Sequence, residues 1–210
     1  QAVCYCHGCH IVHRDLKPEN ILIVKRAKNG FHHIKIIDFG TAKVFNKEKR
    51  EHALIGSAYY IAPEVISRNY TEKCDIWSCG IIMYILLTGR PPFNGQTEDD
   101  IMKKIKIGTY EMTKYPWGII SQEAKDLIND LLQLKPNKRI TAEEALKHKW
   151  FSSKAVKQME NNNAKKFNFQ NYANNFLENK ETLNLDNNLI INQNNEVNKL
   201  NIIPQFLNNN

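Results

Sequence analysis

No stretch of this sequence is apolar for long enough to cross a membrane. The longest uninterrupted run, Ile81 to Leu87, is seven residues, against about 20 for a spanning helix. Cysteine is sparse and irregular: Cys4, Cys6, Cys9, Cys74 and Cys79 make an odd count. That predicts reduced thiols and a cytoplasmic setting, and it excludes a disulfide framework. No basic stripe interleaved with aromatics is present, so nucleic acid is not an expected partner. No signal peptide is visible. The chain opens at Gln1 in mid-pattern and reads as a fragment.

What is present is ordinary globular material followed by something else. The chain has 210 residues, 42% of them hydrophobic, with a formal net charge of +7. Residues 1 to 156 hold 24 Lys/Arg against 17 Asp/Glu, whereas 157 to 210 hold five of each. The excess is therefore read as a generic basic surface on the globular part. Asn makes up 19 of the last 50 residues, a composition that supplies little core, so the 152–210 tail is expected to be largely disordered.

Cys4, Cys6, His7, Cys9 and His10 fall within seven residues. A zinc site brings together two separated ligand pairs, and no second pair follows, so the cluster reads as the end of a buried helix. Ile21–Val24 and Ile34–Ile37 are short β-branched runs around an Asn29-Gly30 turn signal, which predicts an antiparallel hairpin. Such a ribbon returns Asp38 to the neighbourhood of Asp15 and Asn20. The remainder reads as helix. Thr71 caps a buried central helix to Thr88, stopped by Gly89. Asp99–Lys106, Ser121–Leu134 and Thr141–Lys147 follow, the last with a capping box closed by Glu144. The fold class is mainly α with one small hairpin.

Three motifs then stand in order: His13-Arg14-Asp15-Leu16-Lys17-Pro18-Glu19-Asn20, Asp38-Phe39-Gly40 and Ala62-Pro63-Glu64. Together they resemble the signature set of eukaryotic protein kinases. The resemblance covers residues 1–151 and implies the C-terminal lobe of that domain, a helical bundle with a small β-hairpin. It further implies phosphoryl transfer from ATP with Mg²⁺. Asp15 would take the substrate hydroxyl's proton, Lys17 would sit beside the phosphate, and Asn20 and Asp38 would be hard oxygen ligands for the metal. Ser57, in Gly56-Ser57-Ala58-Tyr59-Tyr60, would bridge Asp15 and Lys17 in a substrate-docking loop. Glu19 resembles the acid that selects basic residues upstream of the target. His13, Arg14, Phe39 and Gly40 would support the site, Asp75 would accept hydrogen bonds from the backbone at His13 and Arg14, and Glu64 would pair with Arg139.

Gly56–Val65, Cys74–Gly80 and Tyr84–Phe93 resemble the calcium/calmodulin-regulated group, and within it the calcium-dependent protein kinases. Lys17 in its loop points to Ser/Thr substrates rather than Tyr. Residues 42 to 56 contain no Ser, Thr or Tyr, so activity is expected without activation-loop phosphorylation, an acid, Glu48 or Glu51, partly replacing the phosphate.

The chain has no Gly-rich phosphate loop and no strand lysine, so alone it is expected to be inactive or very weak. The alternative is a non-catalytic kinase-derived scaffold. Asp186-Asn187-Asn188-Leu189-Ile190-Ile191 places Ile where a calcium loop needs a ligand and Gly, so any calcium-sensor module lies outside this chain. Residues 152 to 180 are a candidate regulatory junction.

Overall fold

A computed structural model describes residues 1–25, 32–46 and 49–152. Asn29-Gly30, Glu48 and all of the Asn-rich tail and candidate junction beyond Ser152 lie outside the described residues. Within them the chain is mostly helical, with two two-stranded antiparallel sheets. A short helix α1 (Ala2–Gly8) leads into β1 (Ile11–Val12) and a 3₁₀ turn (Pro18–Asn20). The ribbon β2 (Ile21–Lys25) and β3 (His33–Ile36) follows, then β4 (Lys43–Val44). Then come α2 (Pro63–Ile66), α3 (Lys73–Thr88), α4 (Glu98–Ile107), α5 (Gln122–Leu131), α6 (Ala142–Leu146) and a second 3₁₀ turn (Lys149–Ser152).

The helix termini follow side-chain chemistry. Thr97, Ser121 and Thr141 each accept the backbone N–H of the residue three positions on, and Thr141 and Glu144 complete the reciprocal capping box. Gly89 and Gly108 end α3 and α4 in the left-handed conformation. Two limits differ from expectation. Thr71 Oγ1 accepts the Lys73 N–H at 3.4 Å, but the first turn is 3₁₀-like, with Cys74 N–H bonded to Thr71 C=O, so regular α3 begins two residues later. The helix α5 stops at Leu131 because Leu132 turns inward; its side chain lies so close to Gly80 that a Cβ there would meet it at 2.7 Å.

The centre of the fold is α3, whose Trp77 and Ile81 are fully buried. Trp77 stacks on Phe93 with ring centroids 5.7 Å apart, while Tyr84 packs against Trp117. The helix is not buried throughout: Leu86, near its C-terminus, is 78% exposed. Likewise α1 buries only Cys4 of its residues, with Cys6 and the capping Cys9 half-buried.

The β2–β3 ribbon pairs Ile21 with Ile36, Leu22 with Lys35 and Ile23 with Ile34. Its side chains find little cover, Leu22, Val24 and Ile34 being more than half exposed. The second pairing, Ile11 with Val44 and Val12 with Lys43, joins segments too short to announce themselves as strands.

Candidate active site

The site is assembled from the loop between β1 and β2. Ile37 N–H donates to Asn20 C=O at 2.9 Å, so the ribbon brings Asp38 back beside the end of that loop. The Asn20 side chain is 5% exposed, and its amide nitrogen donates to Asp15 C=O at 2.8 Å. That bond fixes the loop's curvature and leaves the amide oxygen, the hard ligand of the pair, outside it. Asp38 is exposed, adopts φ +61°, and accepts the Gly40 N–H at 3.2 Å.

Asp15, Lys17 and Ser57 form a triangle. Lys17 Nζ lies 2.8 Å from Asp15 Oδ2 and donates to Ser57 Oγ at 3.0 Å. Ser57 donates to Asp15 Oδ1 twice, from its hydroxyl at 3.0 Å and from its N–H at 3.1 Å. Burial opposes ionisation of Asp15, but the bonds from Lys17 and Ser57 outweigh it and hold the carboxyl below its ordinary pKa. The same bond to Asp15 raises Lys17. At neutral pH this is an ionised acceptor beside a fixed ammonium. Glu19 stays outside the triangle, exposed at the rim; burial raises the pKa of Tyr60, and the nearby Glu19 charge adds to the rise.

Behind the loop stands Asp75 of α3, 1% exposed. Its carboxylate accepts the N–H of His13 and of Arg14, each at 2.9 Å, and faces His7 Nε2 at 2.9 Å. These bonds hold Arg14 at φ +73°, a left-handed conformation that a non-Gly residue keeps only when its surroundings impose it. His13 ties the ribbon in: Nε2 reaches Ile37 C=O at 3.2 Å while Nδ1 accepts the Asp15 N–H at 3.3 Å. That pattern calls for the Nε2–H tautomer. Phe39 packs edge-on against the His13 ring, 4.9 Å between centroids. Gly56, at φ +112°, passes so close to the loop that a Cβ would lie 2.8 Å from Arg14 C=O.

A second buried charge braces the scaffold. The Arg139 guanidinium forks onto Glu64, with Nη2 donating to Oε2 at 3.0 Å and Nη1 to Oε1. It also donates to the Gln133 and Lys73 carbonyls and lies 5.1 Å from the centre of the Trp77 ring.

Two residues matter more than their sequence context suggests. His7, weighed above as a metal ligand, is committed to Asp75; nothing local in the sequence points to a partner 68 positions away. Thr41 links the loops, its hydroxyl donating to His13 C=O at 2.9 Å and its carbonyl accepting Arg14 Nε at 2.6 Å. Of the two acids expected beside Arg14, Glu51 pairs instead with Lys43 of β4 at 2.8 Å, its backbone bridging to Tyr70; Glu48 lies outside the described residues. Among the described residues no three His, Cys, Asp or Glu converge as a metal cluster, and no helix is long and apolar enough to cross a membrane.

Comparison with known proteins places these features in a family. The protein kinase domain model matches residues 1–151. Calcium-dependent protein kinase 4 of Plasmodium falciparum is 51% identical over 148 residues, covering 70% of this chain and 28% of that protein. Calcium-dependent protein kinase 5 of the same organism is 46% identical over 150 residues, 71% of this chain and 26% of that protein. Calcium-dependent protein kinase 29 of Arabidopsis thaliana is 46% identical over 151 residues, 72% of this chain and 28% of that protein. The chain thus spans under a third of the length of these relatives. With its loop, ribbon and buried carboxylate arranged as described, and that family match over residues 1–151, the chain belongs to the protein kinase domain family.

Proposed function

We propose that this chain acts as the C-terminal lobe of a serine/threonine protein kinase of the calcium-dependent type, transferring the γ-phosphoryl of ATP to a protein hydroxyl. The observation that carries this reading is the Asp15–Lys17–Ser57 triangle, an acid held ionised with a cation 2.8 Å away. Asp15 would accept the hydroxyl proton and aim its oxygen at the phosphoryl. Lys17 would shift from Asp15 toward the charge that develops there. Transition states of this reaction are loose, so positioning and charge neutralisation are the main tasks. Asn20 and Asp38 suit Mg²⁺, since an amide and a carboxylate are hard oxygen donors at the point where loop and ribbon meet. The ion would supply charge neutralisation between phosphate oxygens.

The lobe reading is supported by the β2–β3 ribbon. A lone two-stranded sheet is marginal in water, and this one leaves apolar side chains exposed on both faces, Leu22 on one and Ile34 on the other, as suits a ribbon covered by a small upstream lobe that would complete the ATP site. Glu19 at the rim favours protein substrates with basic residues upstream of the Ser or Thr. The names of the relatives support calcium as the activating signal, received by a sensor module outside these 210 residues.

The test is Asp15→Asn in the full-length product of the coding sequence, with a basic Ser peptide as substrate. Turnover is expected to fall by about three orders of magnitude with the unfolding temperature unchanged. Undiminished turnover, or no affinity for Mg-ATP by calorimetry, would overturn the assignment.

A further inference from the structure

Cys6 and Cys9 flank His7 and Gly8 at the end of α1. Both are free and half-buried, and the Cys9 N–H donates to Cys6 C=O at 3.0 Å. A turn closed in this way keeps its end Cα atoms within about 7 Å, inside the reach of a disulfide. The Cβ atoms of helical residues three apart lie about 5–6 Å from each other, whereas a disulfide needs about 3.5–4.5 Å. Closing the bond therefore draws the two residues together by about 1–2 Å. The movement falls on what lies between them, His7 and Gly8.

His7 has little room to absorb such a movement. Its Nε2 sits 2.9 Å from the Asp75 carboxylate, and Asp75 in turn holds the backbone of His13 and Arg14 next to Asp15. A displacement of about 1 Å carries the imidazole outside hydrogen-bond range.

We propose that Cys6 and Cys9 form a reversible redox site whose disulfide uncouples His7 from Asp75 and lowers the rate of phosphoryl transfer; this rests on the kinase reading above. The oxidant is a hydroperoxide. The Cys9 thiolate, at the open end of the helix, attacks a peroxide oxygen; the O–O bond breaks, Cys9 becomes a sulfenic acid and, with hydrogen peroxide, hydroxide leaves. The Cys6 thiolate then attacks the Cys9 sulfur, the S–S bond forms and a second hydroxide leaves. The two thiol protons convert both hydroxides to water. Burial pushes the Cys6 thiol up in pKa, with the Asp75 charge adding to the effect, which suits Cys6 to the resolving step rather than the first encounter. A disulfide drawn together against its helix is a strained and readily reduced one.

The experiment treats the reduced full-length protein with hydrogen peroxide, caps remaining thiols and maps cysteines by mass spectrometry while measuring kinetics. Expected are a Cys6–Cys9 linkage, a kcat lowered about threefold to tenfold, as loss of one hydrogen bond allows, unchanged KM for peptide and Mg-ATP, and recovery with dithiothreitol. Cys6→Ser and Cys9→Ser should each retain the basal rate and lose the response to peroxide. His7→Gln should start at the lowered rate and gain nothing from reduction. A response that persists in the Cys6→Ser/Cys9→Ser protein would overturn the proposal, as would a linkage with undiminished kcat, no linkage where other cysteines oxidise, or stoichiometric zinc on these thiols. The linkage is read by mass, so absence of any kinase activity would strike the functional reading alone.

Discussion

Replacing Asp75 by Asn tests the link between the helical core and the loop that carries Asp15. The carboxylate receives two backbone N–H groups at 2.9 Å, from His13 and Arg14, and a third contact from His7. An amide offers one oxygen and one NH₂, so one of the two backbone donors would face another donor. A stranded buried donor costs about 1–3 kcal/mol. The left-handed Arg14, at φ +73°, stores strain of similar order, about 1–3 kcal/mol, which this clamp helps to hold in place alongside the Thr41 contacts. Relaxation of that strain in the variant offsets part of the penalty, so the net loss stays within about 1–3 kcal/mol, or roughly 5 °C in melting temperature for a domain of this size.

Function should suffer more than folding. Arg14 immediately precedes Asp15, the proton acceptor of the proposed mechanism, and a displacement of about 1 Å at such a group can cost about a hundredfold. Differential scanning calorimetry, paired with steady-state kinetics well below the transition, separates the two effects. Expected are a lowered melting temperature and a kcat reduced about tenfold to a hundredfold, with little change in KM. A destabilised variant that turned over at the unaltered rate would refute the positional argument, and an unaltered melting temperature would refute the energetic one.

Arg139→Met leaves the Glu64 carboxylate buried without its partner and should cost about 3–5 kcal/mol by chemical denaturation; the Glu64→Gln/Arg139→Met pair should recover part of that loss. Because Asp15 has a depressed pKa, its ionised form is complete at neutral pH and is lost only as pH falls through a value below the ordinary 3.8. Ser57→Ala removes the hydroxyl bond to Asp15 and should move the acid limb of kcat/KM upward, measurable in a pH-rate profile over the range where the fold persists. Phosphatase treatment should leave activity intact, since residues 42 to 56 offer no hydroxyl, and Glu51→Ala, which frees Lys43, should cost at most about 1 kcal/mol of stability by chemical denaturation, as for loss of one partly exposed ion pair. A phosphatase-sensitive rate mapped to that segment would contradict this.

The amino-acid sequence by itself determined what depends on near neighbours. The capping residues Thr97, Ser121 and Thr141 and the stop at Gly89 act within a single turn, and the β2–β3 pairing joins two β-branched runs that lie close together in the chain. The clustering of Asp15, Asn20 and Asp38 follows from that ribbon. The pairings of Glu64 with Arg139 and of Asp75 with the loop were legible only through resemblance to a family, not through any pattern of residues. Tertiary structure alone decided the rest. It sent His7 to Asp75 rather than to a metal, set Glu51 on Lys43 rather than on Arg14, joined β1 to β4, and turned Leu132 into the space left by Gly80. Each of these contacts spans a stretch of chain with no periodic signature of its own. Its partner is selected only when the core around α3 closes and leaves a buried charge or an apolar side chain one place to go.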